Sequence, residues 1–72
     1  MAYDYRKLLG RIVEKYGTQA KFATAMGMSE HTLSKKLNNI IRWKQDEITR
    51  ACDLLDIAFE LIPVYFFALE VQ

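Results

Sequence analysis

One cysteine, one proline and three glycines are all that this 72-residue sequence holds of the residues that staple, break or bend a chain. Cys52 has no partner for an intrachain disulfide, and with His31 as the single histidine there is no side-chain set to assemble a metal site. The longest unbroken apolar stretch, residues 61–69, is far short of the roughly 20 residues that a membrane-spanning helix needs, and it contains Pro63. Residues 1–9 mix Asp4, Arg6 and Lys7 and hold no apolar signal-peptide core, so a cytoplasmic protein with no membrane partner is expected. A glycine-rich phosphate loop, a nucleophile beside a base and a metal-ligand cluster are all missing, which argues against an enzyme and leaves no cofactor to expect. Asp46 and Glu47 are adjacent, but a helix sends neighbouring side chains in different directions, so they do not make an acid–base pair. Linkers, repeats and low-complexity tracts are missing too, and residues 1–72 read as a single domain.

What is there is the balance of a soluble globule: 51% hydrophobic and 26% charged residues. At this length a folded chain buries only about 60% of the surface it exposes when unfolded, so the core has to be compact. The net charge of +1 conceals an uneven distribution. Up to Lys44 there are nine basic side chains against three acids, and from Gln45 onward Arg50 stands alone against six acids. That polarity is expected to turn the first half of the chain toward phosphates.

Apolar residues recur at helical spacing from Tyr5 to Tyr16, with Asp4 as the expected N-cap and Gly17 as the stop. Thr18 is a good N-cap for a second helix whose stripe is Phe22, Ala23 and Met26, and Gly27 ends it. Ser29 then caps a third, mostly polar helix, with Leu33 and Leu37 one turn apart behind it and Asn38 and Asn39 closing it. Residues 40–44 have no helical period. Ile48, Ala51, Cys52 and Leu55 mark the buried face of a fourth helix, with Asp46 and Glu47 in its first turn, where the helix dipole favours negative charge. One further turn is expected before Pro63, and the alternation of Phe67, Leu69 and Val71 with Ala68, Glu70 and Gln72 suggests a short extended C-terminal segment. The fold class is therefore all-α, a compact bundle of four to five short helices.

Two short helices joined by a three-residue turn containing glycine are what a helix-turn-helix requires, here over residues 18–38. The run Thr18-Gln19-Ala20-Lys21-Phe22-Ala23-Thr24-Ala25-Met26-Gly27-Met28-Ser29-Glu30-His31-Thr32-Leu33 resembles the helix-turn-helix of the phage Cro and CI repressor family. The wider pattern, from Asp4-Tyr5 through Gly17-Thr18-Gln19, Leu33-Ser34, Lys36-Leu37-Asn38 and Trp43-Lys44-Gln45 to Tyr65-Phe66-Phe67, is similar to small regulators of temperate phages from Gram-positive bacteria. That group includes antirepressor partners of CI proteins. The resemblance implies a lambda-repressor-like fold, a bacterial host cytoplasm and double-stranded operator DNA as partner, with the third helix in the major groove.

On that reading Glu30, His31, Thr32, Ser34 and Lys35 occupy the first turns of the recognition helix, where side chains meet base edges. Gln19, at the start of the second helix, matches a phosphate-touching position, and Asn38, Arg42 and Lys44 are placed to hold the backbone beyond the recognition helix. Glu30 departs from the more usual Gln or Arg. Lys36 stands where many relatives carry an apolar residue, with Leu37 expected to take over its packing role.

Each of these residues has a plainer reading. His31 is either a contact residue or merely solvated, and the same choice holds for Lys35 and Lys36, of which at least one is expected to touch DNA. Cys52, Met26 and Met28 read as packing residues, and Trp43 as core cover whose indole needs a hydrogen-bond partner if buried. Ile40 is expected to face out and offers a protein contact. Tyr65, Phe66 and Phe67 complete a core too small to close by itself, or pair two copies in a homodimer. Two functions are thus in competition. One is operator binding through the third helix. The other is an antirepressor that uses Ile40 and the same region to engage a CI-type repressor.

Overall fold

The computed structural model describes residues 2–71; Met1 and Gln72, the last residue of the alternating C-terminal segment, lie outside the described residues. Five helices follow one another: α1 (Arg6–Tyr16), α2 (Gln19–Met26), α3 (Glu30–Leu37), α4 (Gln45–Leu55) and α5 (Ile62–Phe66), with a 3-10 turn at Phe59–Leu61 leading into α5. The all-α bundle with a helix-turn-helix expected from the sequence is what forms.

The α1 helix buries Leu8 and Ile12, one turn apart, while Val13 is half exposed. Its N-cap is Tyr5 rather than Asp4. Asp4 still takes up an orphan amide, accepting from the Arg6 N–H at 2.9 Å, but it does so from one residue further out while also binding the Arg6 guanidinium at 2.7 Å. Thr18 and Ser29 cap α2 and α3 as expected, their hydroxyls accepting from the N–H groups of Lys21 and Thr32. Phe22, Ala23 and Met26 form the buried stripe of α2.

Between α2 and α3 the chain reverses at Gly27, which adopts φ 76° and ψ 27°. The Met28 N–H bonds to the Ala23 carbonyl and the Gly27 N–H to the Thr24 carbonyl, both at 3.0 Å, so the last carbonyls of α2 are satisfied within the turn. Arg50, on α4, donates to the Met26 carbonyl at 3.0 Å and anchors the turn from the opposite side. The α4 helix ends in a similar way. Asp56 is left-handed (φ 53°), and Arg11 of α1 reaches the Leu55 carbonyl at 2.8 Å.

Pro63 does not end a helix; it sits in the first turn of α5, where its missing N–H has no intrahelical partner to lose. This places Phe66 fully inside, edge-on to Trp43 at a centroid distance of 5.2 Å, and Trp43 in turn meets Tyr5 at 6.4 Å. Trp43 covers the core as expected, but its buried indole N–H has no acceptor among the described residues. The end of the chain is extended over little more than a single antiparallel bridge, Tyr3 with Leu69, flanked by Asp4 N–H to Ala68 O and Glu70 N–H to Ala2 O. Its alternation does not produce a buried face, since Phe67 and Leu69 are half exposed and Val71 almost wholly so.

Gly27 and Gly10 should respond with opposite sign to replacement by alanine. At Gly27 a Cβ meets only ordinary contacts, so Gly27→Ala carries the left-handed strain alone, about 1–2 kcal/mol of lost stability. Gly10 lies mid-α1 with open space around it, and Gly10→Ala should gain roughly 0.5–1 kcal/mol. Thermal melts should separate the two variants by several degrees on either side of the parent.

Candidate macromolecule-binding face

The α3 helix presents Glu30 and His31 to solvent, with Thr32, Ser34 and Lys35 partly exposed. Their roles are not equivalent. Thr32 is drawn into the N-cap, its hydroxyl accepting from Ser29 Oγ at 2.9 Å. Asn38 folds back onto the helix end, its Nδ2 donating to the Ser34 carbonyl at 2.8 Å and to Ser34 Oγ at 3.3 Å. Gln19 is half-buried at the start of α2, and Arg42 and Lys44 are exposed on the irregular loop after α3. The outward groups of α3 that remain uncommitted are thus Glu30, His31 and Lys35.

Lys36 departs most from expectation. It is 2% exposed, whereas Leu37, expected to pack in its place, is only half-buried. Position 36 lies three residues after Leu33 and therefore on the same inward face. A buried ammonium is tolerable only if it is paired and hydrogen-bonded. Lys36 Nζ meets both conditions, lying 2.8 Å from Glu47 Oε1 and donating to the Arg42 carbonyl at 3.0 Å. The same Glu47 oxygen accepts from the Lys44 N–H at 2.8 Å, capping α4. Of the two lysines considered for DNA contact, one is therefore spent inside the protein.

This pairing also revises the charge polarity. Lys36 meets Glu47 and Lys15 meets Asp56 at 2.7 Å, so basic groups of the first half neutralise acids of the second. Arg6 and Arg11 are taken up locally by Asp4 and Glu14. The surplus along the chain does not become a uniformly basic face.

The loop at residues 38–44 carries the most conspicuous apolar feature. Ile40, on this loop, is 70% exposed. Asn39, left-handed at φ 63°, bonds through its side chain to both the N–H and the carbonyl of Tyr3, at 2.9 and 3.0 Å, as a neighbouring strand would. Beside the loop runs a groove of about 900 Å³ lined by Ile41, Trp43, Phe59, Ile62, Phe66 and Phe67 together with polar residues such as Gln45 and Thr49, and among the described residues Arg42 is the one charged group in it. Phe59 at its rim is 81% exposed. Sequence reasoning picked out Ile40 but missed Phe59, Asn39 and the Lys36–Glu47 pair. The one available signal was a lysine lying on an otherwise apolar stripe.

Among the described residues no group of three or more His, Cys, Asp or Glu side chains could hold a metal ion, and no helix is long and apolar enough to cross a membrane. Residues 1–69 match the protein family described as "Protein of unknown function (DUF739)". The solution structure of the modulator of repression of the temperate bacteriophage TP901-1 from Lactococcus lactis superposes with a TM-score of 0.83. It is 53% identical in sequence, and the match covers 100% of this chain and 97% of that one. The chain belongs to the DUF739 family and is a relative of the modulator of repression. No curated protein sequence gives a significant match. The kinship extends through the whole of this DUF739 chain, α5 and the terminal bridge included, and not only through the helix-turn-helix.

Three carboxylates of this DUF739 protein titrate low. The Arg6 side chain and N–H hold Asp4 at about 2, and Lys15 lowers Asp56. At Glu47 burial pushes upward, but the hydrogen bonds from Lys36 and the Lys44 N–H, with the charges of both lysines, outweigh it and lower the pKa. A carboxylate lowered on folding stabilises the fold above its unfolded value and loses that contribution as pH falls through the folded one. Glu47→Gln should therefore cost on the order of 1–3 kcal/mol at pH 7, and the gap to the parent should narrow as pH falls below the ordinary glutamate value of 4.5. Thermal melts of both proteins from pH 7 to pH 3 check this, and a gap that stays constant would contradict it.

Proposed function

We propose that this chain is a phage regulator that works by protein contact: it engages the DNA-binding domain of a CI-type repressor through the loop around Ile40 and keeps that repressor from its operator. The observation that carries the reading is Ile40 itself, a β-branched apolar side chain held out in water on a tethered loop, between Asn39 and Ile41, which both line the groove. The relationship to the modulator of repression supports the same reading. So does the charge of α3, whose outward groups are one acid, one lysine and one histidine now that Lys36 is turned inside.

A second reading, direct binding of operator DNA with α3 in the major groove, draws support from the accessible His31 and Lys35 on that helix and from the exposed Arg42 and Lys44 beyond it. The two readings separate cleanly by experiment. On the first, the purified chain binds the repressor, releases it from operator DNA and does not retard that DNA alone. Burying an isoleucine contributes about 1.5–3 kcal/mol, so Ile40→Asp should weaken the complex by roughly tenfold to a hundredfold in calorimetric titration. Operator retardation by this chain alone, weakening steeply with salt and reduced by Lys35→Ala, would support the second reading instead. An unchanged repressor affinity in Ile40→Asp would move the contact elsewhere.

A further inference from the structure

The 38–44 loop is irregular; its first amides bond back to the end of α3, and two sets of side-chain contacts hold it. On the outside Asn39 clamps Tyr3. On the inside the Lys36 ammonium, reaching forward from α3, donates to the Arg42 carbonyl near the middle of the loop and pairs with Glu47, which takes the Lys44 N–H at the loop's end. One buried charge pair thus connects α3, the loop backbone and the first turn of α4. Burial of the pair is not needed to fill space, because an apolar pair of similar volume at such a site is often as stable or more so. What an apolar pair cannot supply is the directional bond to the Arg42 carbonyl and the acceptor for the Lys44 amide.

We propose that Lys36 and Glu47 are positioning residues: from inside the protein they fix the backbone of the 38–44 loop in the conformation that presents Ile40 and one wall of the adjoining groove to a partner protein. The partner contact rests on the function proposed above, whereas the positioning of the loop does not. Neither side chain is available to a partner. The Lys36 and Glu47 side chains are 3% and 19% exposed, so an effect of their replacement on binding is transmitted through the backbone they hold, which the exchange of the loop amides reads directly. A loop ordered before binding loses less conformational entropy on association, which is where preorganisation gains affinity.

The test is the double variant Lys36→Met/Glu47→Met, which removes both charges together and avoids leaving one buried and unpaired. Two backbone amides report on the loop without themselves bonding to the replaced groups. The N–H groups of Ile40 and Ile41 both donate to the Lys35 carbonyl, at 2.9 and 3.3 Å. Hydrogen exchange in the double variant should leave the amides of Ile12 and Leu55 in the core as protected as in the parent, while those of Ile40 and Ile41 exchange at least about tenfold faster. Affinity for the repressor should fall by roughly tenfold. Unchanged exchange at Ile40 and Ile41 in a folded double variant overturns the proposal, whatever the repressor does. If the parent chain fails to bind the repressor, the function proposed above falls, and the exchange measurement still decides the positioning. Should the double variant not fold, Glu47→Gln carries the same exchange readout. Its carboxamide oxygen keeps an acceptor for Lys44 but loses the charge facing Lys36, and Ile40 and Ile41 amides as protected as in the parent would again overturn the proposal.

Discussion

The left-handed backbone at Gly27 is the constraint on which the presentation of α3 depends. With that turn in place, the last carbonyls of α2 are satisfied by the Gly27 and Met28 amides and by Arg50, and Ser29 begins α3 at once. Leu33 is then fully buried against the core, and the opposite side of a helix only eight residues long is left in water. In a domain of this size the turn cannot be corrected by packing elsewhere, because the whole core consists of little more than Leu8, Ile12, Phe22, Ala23, Met26, Leu33 and the inner residues of α4 and α5.

Charge in this protein is used mainly to join elements. Arg11 closes the end of α4 from α1, Lys15 meets Asp56 across the same junction, Arg50 closes the end of α2, and Lys36 joins α3 to α4. Exposed pairs such as Lys15 with Asp56 contribute little to stability. The buried Lys36 differs in kind, since its desolvation is offset only when both acceptors are in place. The consequence for recognition is direct. Lys15 and Lys36 are matched by acids of the second half, so part of the basic surplus in the first 44 residues is consumed within the fold, and what α3 turns outward is close to neutral.

The apolar surface follows the opposite course. Phe66 and Trp43 close the core as an edge-to-face pair, but Ile40 remains outside on the loop after α3, and Phe59 and Phe67 remain outside at a groove lined by the N-terminal residues, that loop, α4 and the C-terminal turn and helix. Exposed apolar side chains grouped on one surface are the usual mark of a contact site.

Much of this was written in local sequence. Helix caps at Thr18 and Ser29, the stop at Gly27, and the inner faces of α2 and α4 follow from spacing and from the few residues able to cap or turn a helix, because those preferences act over three or four residues. The helical period also placed Leu33 inside and Glu30, His31 and Lys35 outside. Local pattern had no means of deciding the fate of Lys36, which depended on a carboxylate eleven positions later and a carbonyl six positions later arriving at the same point. The same holds for Pro63, compatible with either a helix stop or a first turn until Phe66 found its place against Trp43, and for Asn39, whose bonds to Tyr3 span 36 residues. Sequence alone determined that the segments of α1 to α4 are helical and which way most of them face. Tertiary structure alone decided where the charges end and which apolar residues stay in water, because desolvation and pairing depend on neighbours that only folding brings together.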